Sequence, residues 1–144
     1  MFNIATAAPL TGTYNTGASD VEGTDSASLD IRFHACATDP ELTCGTIVRL
    51  VNPSPNSSST MPDGSPVVGF VMITDLKEKS AGKYRGGKIN AVDESISKGK
   101  MTWYGLKVDN SFDGTLTAKG CLGPFCPRTM IWKLVDDVEA PTGE

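Results

Sequence analysis

The sequence predicts an all-β fold, a small antiparallel β-barrel, with a β-sandwich as the alternative. Apolar and polar side chains alternate with a period of two in several segments, which is typical of strands with one buried face. Glycine, proline and aspartate cluster between these segments, and no stretch of the chain has a helical period. Roughly seven or eight short strands, spaced about ten residues apart, indicate a barrel or a sandwich.

The first half of the chain predicts two paired strands, a loop and a third strand. Residues 28–34 alternate cleanly, and residues 45–51 are rich in β-branched side chains. Residues 52–66 contain four prolines and a serine run, so we expect a long surface loop there. Residues 67–75 form the third predicted strand, and the polar residues 77–82 are expected to form a turn.

The second half predicts four more strands, at residues 83–92, 100–108, 114–120 and 128–134. Gly86 and Gly87 interrupt the first of them, and we expect a glycine bulge that bends a curved sheet. Asp113-Gly114 is a hairpin turn signal. Alternation places Leu116 and Ala118 inward, and it places Met130, Trp132 and Leu134 together on one face of the last strand.

The length of 144 residues fits one domain, which we place at residues 10–135. Residues 136–144 are expected to be a flexible acidic tail. In residues 1–9, Ala5-Thr6-Ala7 has the small-x-small form of a signal-cleavage site, although the charged and apolar regions that precede such a site are absent. This segment is therefore either an export remnant or a disordered end.

The four cysteines, Cys36, Cys44, Cys121 and Cys126, fall into two close pairs. An even number in a small chain predicts two disulfides and an oxidising compartment, periplasmic or secreted. We favour pairing between sequence neighbours because each pair then closes a short loop. A zinc site is the alternative, but the spacing of the first pair is too wide for the usual ligand pattern.

Charge and hydropathy exclude several classes of partner. The net charge of −4 and the scattered lysines and arginines argue against nucleic acid, which requires clustered cations. No apolar run approaches the roughly 20 residues that a membrane-spanning helix needs. We expect a monomer without a cofactor.

The sequence predicts a protein that is not an enzyme. A nucleophile–histidine pair would have to use His34, the single histidine, which the strand pattern places on a solvated face. No catalytic grouping is visible around it. The candidate ligand-binding residues are Trp103, Tyr104 and Tyr84, with Arg85 at the rim, because aromatic side chains dominate small-molecule pockets. The alternative is that these aromatic side chains fill the core of the barrel.

Seven short segments occur in a fixed order along the chain: Gly12-x-Tyr14, Cys36…Cys44-Gly45-Thr46-Ile47-Val48, Asn52-Pro53-x-Pro55, Gly69-x-Val71-x-Ile73, Tyr84-x-Gly86-Gly87-Lys88-Ile89, Gly114-x-Leu116-x-Ala118-x-Gly120-Cys121 and Cys126…Trp132. In this order they resemble the bacterial envelope family catalogued as domain of unknown function 2147, from about Leu10 to Val135. The resemblance implies export and a lipocalin-like or calycin-like barrel, and it implies no established activity.

Lipocalin-like barrels begin with Gly-x-Trp, and a basic residue from the last strand covers the tryptophan ring. Here Tyr14 follows Gly12 in that pattern, and Lys133 or Arg128 is expected to supply the cation. The chain departs from the family after Ile89, where a Tyr-Asp-Pro-containing stretch is replaced by other residues. If that stretch serves a ligand, this protein has altered the role.

Together these observations predict a non-enzymatic binding protein of the periplasm or the secreted fraction. Its ligand would be a small apolar molecule or a segment of another envelope protein. The main alternative is a protein–protein interaction module that docks a partner through an edge strand or the Pro-rich loop. A third possibility is a metal-handling protein that uses the cysteine thiolates.

Overall fold

The computed structural model describes residues 10–17, 28–51 and 60–135. The strands, in chain order, are β1 (Gly12–Asn15), β2 (Ser28–Ala35), β3 (Thr43–Val51), β4 (Val71–Ser80), β5 (Lys83–Asn90), β6 (Trp103–Asn110), β7 (Thr115–Leu122) and β8 (Phe125–Leu134). One helix, α1 (Val92–Lys98), lies between β5 and β6. The predicted end segments 1–9 and 136–144, and residues 52–59 of the predicted loop, lie outside the described residues.

The strands form a closed antiparallel barrel in which each strand pairs with the next one along the chain. The barrel closes between β1 and β8, where Tyr14 lies opposite Leu134 and Asn15 opposite Lys133. The predicted antiparallel barrel is therefore confirmed, and the sandwich alternative is not. Closure also pairs the two strands that would be edges in an open sheet, so the edge-strand alternative for docking is not supported. No helix among the described residues is long and apolar enough to cross a bilayer.

Two local predictions were wrong. The segment 77–82 was expected to be a turn, but β4 continues to Ser80 and the turn is confined to the two residues before β5. The chain also contains α1, although no helical period was found. Seven residues make two turns, which is too short for a periodic pattern to stand out.

Helix α1 is held by contacts with the barrel. Ser95 of α1 is fully buried. Its hydroxyl group donates to Asn90 Oδ1 (2.8 Å) and accepts from the backbone N–H of Thr102 (2.9 Å). Gly99 ends the helix in the left-handed conformation, φ 72°, where glycine carries no steric penalty. Helices this short are marginal in water, so this buried polar network stabilises α1.

The interior of the barrel is filled with apolar side chains from all eight strands. Leu116 and Ala118 are buried as alternation predicted. Among the three side chains expected to share one face of the last strand, Trp132 is buried, Met130 is partly buried and Leu134, at the strand end, is exposed. The largest fully buried apolar side chains are Trp132, Phe33, Ile31, Ile47, Ile73, Leu76, Leu116, Val67 and Val108. These residues form one continuous core.

Two glycines show how closely this core is packed. A methyl group at Gly45 would approach Ile31 Cγ2 to 2.9 Å, and one at Gly87 would approach Leu76 Cδ2 to 2.5 Å. The pairing of β5 with β6 shifts register between Tyr84 and Gly87. Gly86, which lies within this shift, has a φ of 75°. The predicted glycine bulge is therefore present, and it brings the β5 backbone close to the core.

An aromatic cluster fills the end of the barrel where β1 and β8 meet. The Tyr14 ring contacts the Phe33 ring edge-on at 5.8 Å between centroids, and Phe33 lies 6.2 Å from Trp132. The expected cation on Tyr14 is not found among the described residues. Lys133 alternates with the inward-facing Trp132 and is exposed, and Arg128 lies several residues away along β8. Ring–ring packing takes the place of that contact.

Both predicted disulfides are present in the predicted pairing. Cys36–Cys44 closes the connection between β2 and β3, and Cys121–Cys126 ties the two sides of the β7–β8 hairpin. Because all four sulfurs are bonded, no thiolate is left for a zinc site or for the metal-handling alternative.

Candidate functional site

The structure brings together two of the four predicted ligand-binding residues. Trp103 and Tyr104, at the start of β6, line an open depression of about 680 Å³ on the outside of the barrel. Tyr84 is buried in the core, and Arg85 points outward into a different depression. Tyr84 and Arg85 therefore do not share this depression with Trp103 and Tyr104.

The floor of this outer depression is built from glycines. Gly86 on β5 and Gly105 on β6 carry no side chain, so the sheet surface between the neighbouring side chains is lowered. Lys88, Trp103 and Leu122 rise around it. Thr74 lies opposite Lys88, Lys88 opposite Gly105, and Gly105 opposite Cys121, so the depression crosses the four adjacent strands β4 to β7.

Trp103 is the aromatic wall of the depression. Its side chain is 39% exposed, whereas the second tryptophan, Trp132, is 1% exposed. The Trp103 ring lies 6.2 Å from the Phe70 ring at a tilt of 42°, which supports one of its faces. A large apolar ring that is held in place and still exposed is the kind of surface that binding sites use.

Tyr104 fixes the rim of the depression to α1. Its hydroxyl donates to Glu94 Oε1 at 2.6 Å, and Lys98 donates to the other oxygen of Glu94. The hydrogen bonds from Lys98 and then Tyr104 lower the pKa of Glu94, and the bond to Glu94 raises the pKa of Tyr104. Tyr104 is thus engaged in positioning the helix.

Tyr84 and Arg85 lie outside the depression beside Trp103, and both have partners within the barrel. Burial, and then the negative charge of Glu78, raise the pKa of Tyr84. Arg85 donates to Asp109 Oδ1 at 2.8 Å across the β5–β6 pair and to the carbonyl of Tyr84. The burial of Tyr84 favours the alternative interpretation, in which its ring fills the core of the barrel.

His34, the single histidine, also has hydrogen-bond partners within the barrel. His34 Nε2 lies 2.7 Å from Thr46 Oγ1 and its Nδ1 lies 2.8 Å from the carbonyl of Ala35, so both ring nitrogens are engaged on the strand surface. Across the described ranges, no three His, Cys, Asp or Glu side chains are grouped as metal ligands.

Sequence reasoning missed the glycine floor and the support from Phe70. The glycines were assigned to a bulge, and Gly105 was not singled out. The available signal was Gly105 between the aromatic Tyr104 and the apolar Leu106 in a strand otherwise rich in large residues. An interior glycine in a strand marks a close approach of another group.

The eight-stranded up-and-down barrel, closed between its first and last strands, is a lipocalin-like fold. It is similar to protein HP1028 from the human pathogen Helicobacter pylori, which is described as belonging to the lipocalin family, with a TM-score of 0.68 and 17% sequence identity over 90% of this chain and 85% of that one. The chain belongs to the family described as uncharacterized protein conserved in bacteria (DUF2147), whose model matches residues 12–133. No curated protein sequence matches the chain.

Proposed function

We propose that this protein is a non-enzymatic binding protein that holds a small molecule with a flat apolar face in the outer depression beside Trp103. The observation that carries this proposal is the exposed, supported indole above a glycine floor. The lipocalin-like fold is typically a binding fold, which agrees with the absence of a catalytic grouping in the sequence.

The site is assigned to the outside of the barrel because the inside is occupied. Trp132, Phe33 and the branched aliphatic side chains fill the interior, and the close approaches at Gly45 and Gly87 leave no room even for a methyl group there. An apolar ligand inside the described barrel would have to displace these side chains, which costs several kcal/mol.

The shape and the lining of the outer depression define the ligand. A volume of about 680 Å³ lies in the usual range of about 300–1,000 Å³ for small-molecule sites. A planar group can stack on Trp103 and approach the backbone at Gly105. Lys88 and Asp75 at the margin offer one donor and one acceptor group. We therefore expect a ligand with an aromatic or ring-like apolar body and a polar edge.

Trp103→Ala should abolish binding of the fluorescent probe 1-anilinonaphthalene-8-sulfonate, since it removes the ring on which the naphthalene stacks. The wild type should enhance the probe's emission. Phe112→Ala is the matched control, because Phe112 is 71% exposed and lies in the β6–β7 connection at the opposite end of the barrel. Equal probe binding by Trp103→Ala and the wild type would contradict the proposed site.

The protein is further proposed to work outside the cytoplasm, in the periplasm or the secreted fraction. Disulfides persist in oxidising compartments, and Cys36–Cys44 and Cys121–Cys126 are both formed. Protein isolated from its native host, denatured without reductant and alkylated, should show no free thiol. Detection of four free thiols would place it in a reducing compartment and would refute this part of the proposal.

A further inference from the structure

Four cations lie in a row on the outside of the barrel, one from each of β4, β5, β6 and β7. Lys77 lies opposite Arg85, and Lys107 lies opposite Lys119. Directly paired residues point to the same side of a sheet, and Lys77, Lys107 and Lys119 are exposed while Arg85 is partly exposed. Strands lie about 4.8 Å apart, so the row brings charges that are distant in sequence close together.

Lys107 and Lys119 are direct neighbours at the β6–β7 end of this row and have the same charge. Side chains directly opposite each other have Cβ atoms about 4.5–5.5 Å apart, and like charges at that separation destabilise the sheet. The nearby carboxylate, Asp109, forms an ion pair of 2.8 Å with Arg85. Arg85, Lys107 and Lys119 together with Asp109 form a cluster with an excess of two positive charges, although the whole chain has a net charge of −4.

These side chains surround a second depression, of about 320 Å³. Its lining includes Arg85, Lys107, Lys119 and Asp109, together with the hydroxyls of Thr117 and Thr129. Thr129 lies opposite Lys119, and Thr117 lies opposite Asp109, so both threonines share the outward face. The depression therefore offers ammonium, guanidinium and hydroxyl donors to a single bound group.

We propose that this cluster is a binding site for a phosphate-type dianion, either a free phosphorylated small molecule or the phosphate of a lipid headgroup. A phosphate monoester carries a charge of about −1.5 to −2 at neutral pH and has three acceptor oxygens. This matches the excess of two positive charges and the number of donors. A bound dianion also removes the repulsion between Lys107 and Lys119, which explains why two lysines are compatible with directly paired positions.

The cluster is separate from the proposed site at Trp103. Gly105 of the first depression and Lys107 of the second lie on the same face of β6, two residues apart, so the two sites are neighbours. Their linings share no residue. The anion site does not depend on what Trp103 binds. If phosphate did not bind, the proposed site at Trp103 would be unaffected.

Lys119→Gln should weaken binding of inorganic phosphate by at least about tenfold, measured by isothermal titration calorimetry at fixed ionic strength, because it removes a charged donor from the lining of the depression. Lys133→Gln is the control, since it makes the same charge change at an exposed position of β8 outside the depression. It should bind like the wild type. In phosphate-free buffer, Lys119→Gln should unfold at the same temperature as the wild type or higher, because the repulsion with Lys107 is gone.

Co-sedimentation with vesicles that contain phosphatidic acid, whose headgroup is a phosphate monoester, distinguishes the two sources of phosphate, with phosphatidylcholine vesicles as the control. Binding of free phosphate without vesicle binding supports a soluble phosphorylated ligand. Binding of phosphatidic acid vesicles that Lys119→Gln abolishes supports a lipid headgroup. The proposal is overturned if the wild type binds neither, or if Lys119→Gln and Lys133→Gln weaken binding equally.

Discussion

Trp132→Ala should lower the free energy of unfolding by about 3–5 kcal/mol, the usual cost of truncating a large buried aromatic side chain. Trp132 is 1% exposed, packs on Phe33 and lies opposite Leu116 in the β7–β8 register. Its loss would open a cavity where three elements of the core meet. Since domains have a total stability of about 5–15 kcal/mol, this is a large fraction of the whole.

Urea unfolding followed by circular dichroism measures this change, and the second tryptophan provides the control. Trp103 is exposed on the outer face, so Trp103→Ala should cost less than about 1 kcal/mol. Trp132→Phe should fall between the two, because it keeps most of the buried apolar surface. It also removes a buried indole N–H that has no hydrogen-bond partner among the described residues. If Trp132→Ala and Trp103→Ala were equally destabilising, the assignment of Trp132 to the core would be wrong.

The contrast between these two tryptophans shows how far the sequence predicts the core. Alternation around Leu116, Ala118 and Trp132 identifies the buried face correctly, because a period of two is a strong local signal. Alternation alone does not predict that Leu134, at the end of the same strand, is exposed. The depth of burial at a strand end depends on what covers it, and that is decided by elements distant in sequence.

The candidate sites were less predictable than the fold, for the same physical reason. A row such as Lys77, Arg85, Lys107 and Lys119 is created by strand register and contains no two consecutive residues. The chain therefore has no basic run, and its charges look evenly scattered in the sequence. The depression at Trp103 likewise depends on Gly86 and Gly105, which lie on the two neighbouring strands β5 and β6 and line the same surface.

The correct prediction of the disulfides and the missed helix α1 follow the same principle. Cys36–Cys44 and Cys121–Cys126 are separated by 8 and 5 residues, so each pair is brought together by one hairpin. Helix α1 depends instead on Ser95 reaching Asn90 and Thr102, a network that forms only when the barrel is assembled. Contacts within one hairpin can be inferred from the spacing of residues along the chain, whereas contacts that form only in the assembled fold cannot.

Gly87→Ala should lower the free energy of unfolding by about 1–3 kcal/mol, since overpacking a filled core forces its neighbours out of position. The added methyl carbon would lie 2.5 Å from Leu76 Cδ2, 2.7 Å from Leu76 Cγ and 3.3 Å from the carbonyl oxygen of Leu106. Leu76 is fully buried in the core, so its side chain cannot move aside into solvent. Gly105→Ala is the control, because its methyl would meet Cys121 at an ordinary 3.5 Å and should cost less than about 0.5 kcal/mol.

A double-mutant cycle with Leu76→Ala tests the cause of this effect. Leu76→Ala alone should cost about 2–5 kcal/mol because it leaves a cavity. In the double variant, the methyl at position 87 would occupy part of that cavity, so the two changes should be less destabilising together than their sum by about 0.5–3 kcal/mol. Strictly additive costs would mean that position 87 does not face Leu76. The interior would then have space beside β5, and the main reason for placing the ligand outside the barrel would be lost.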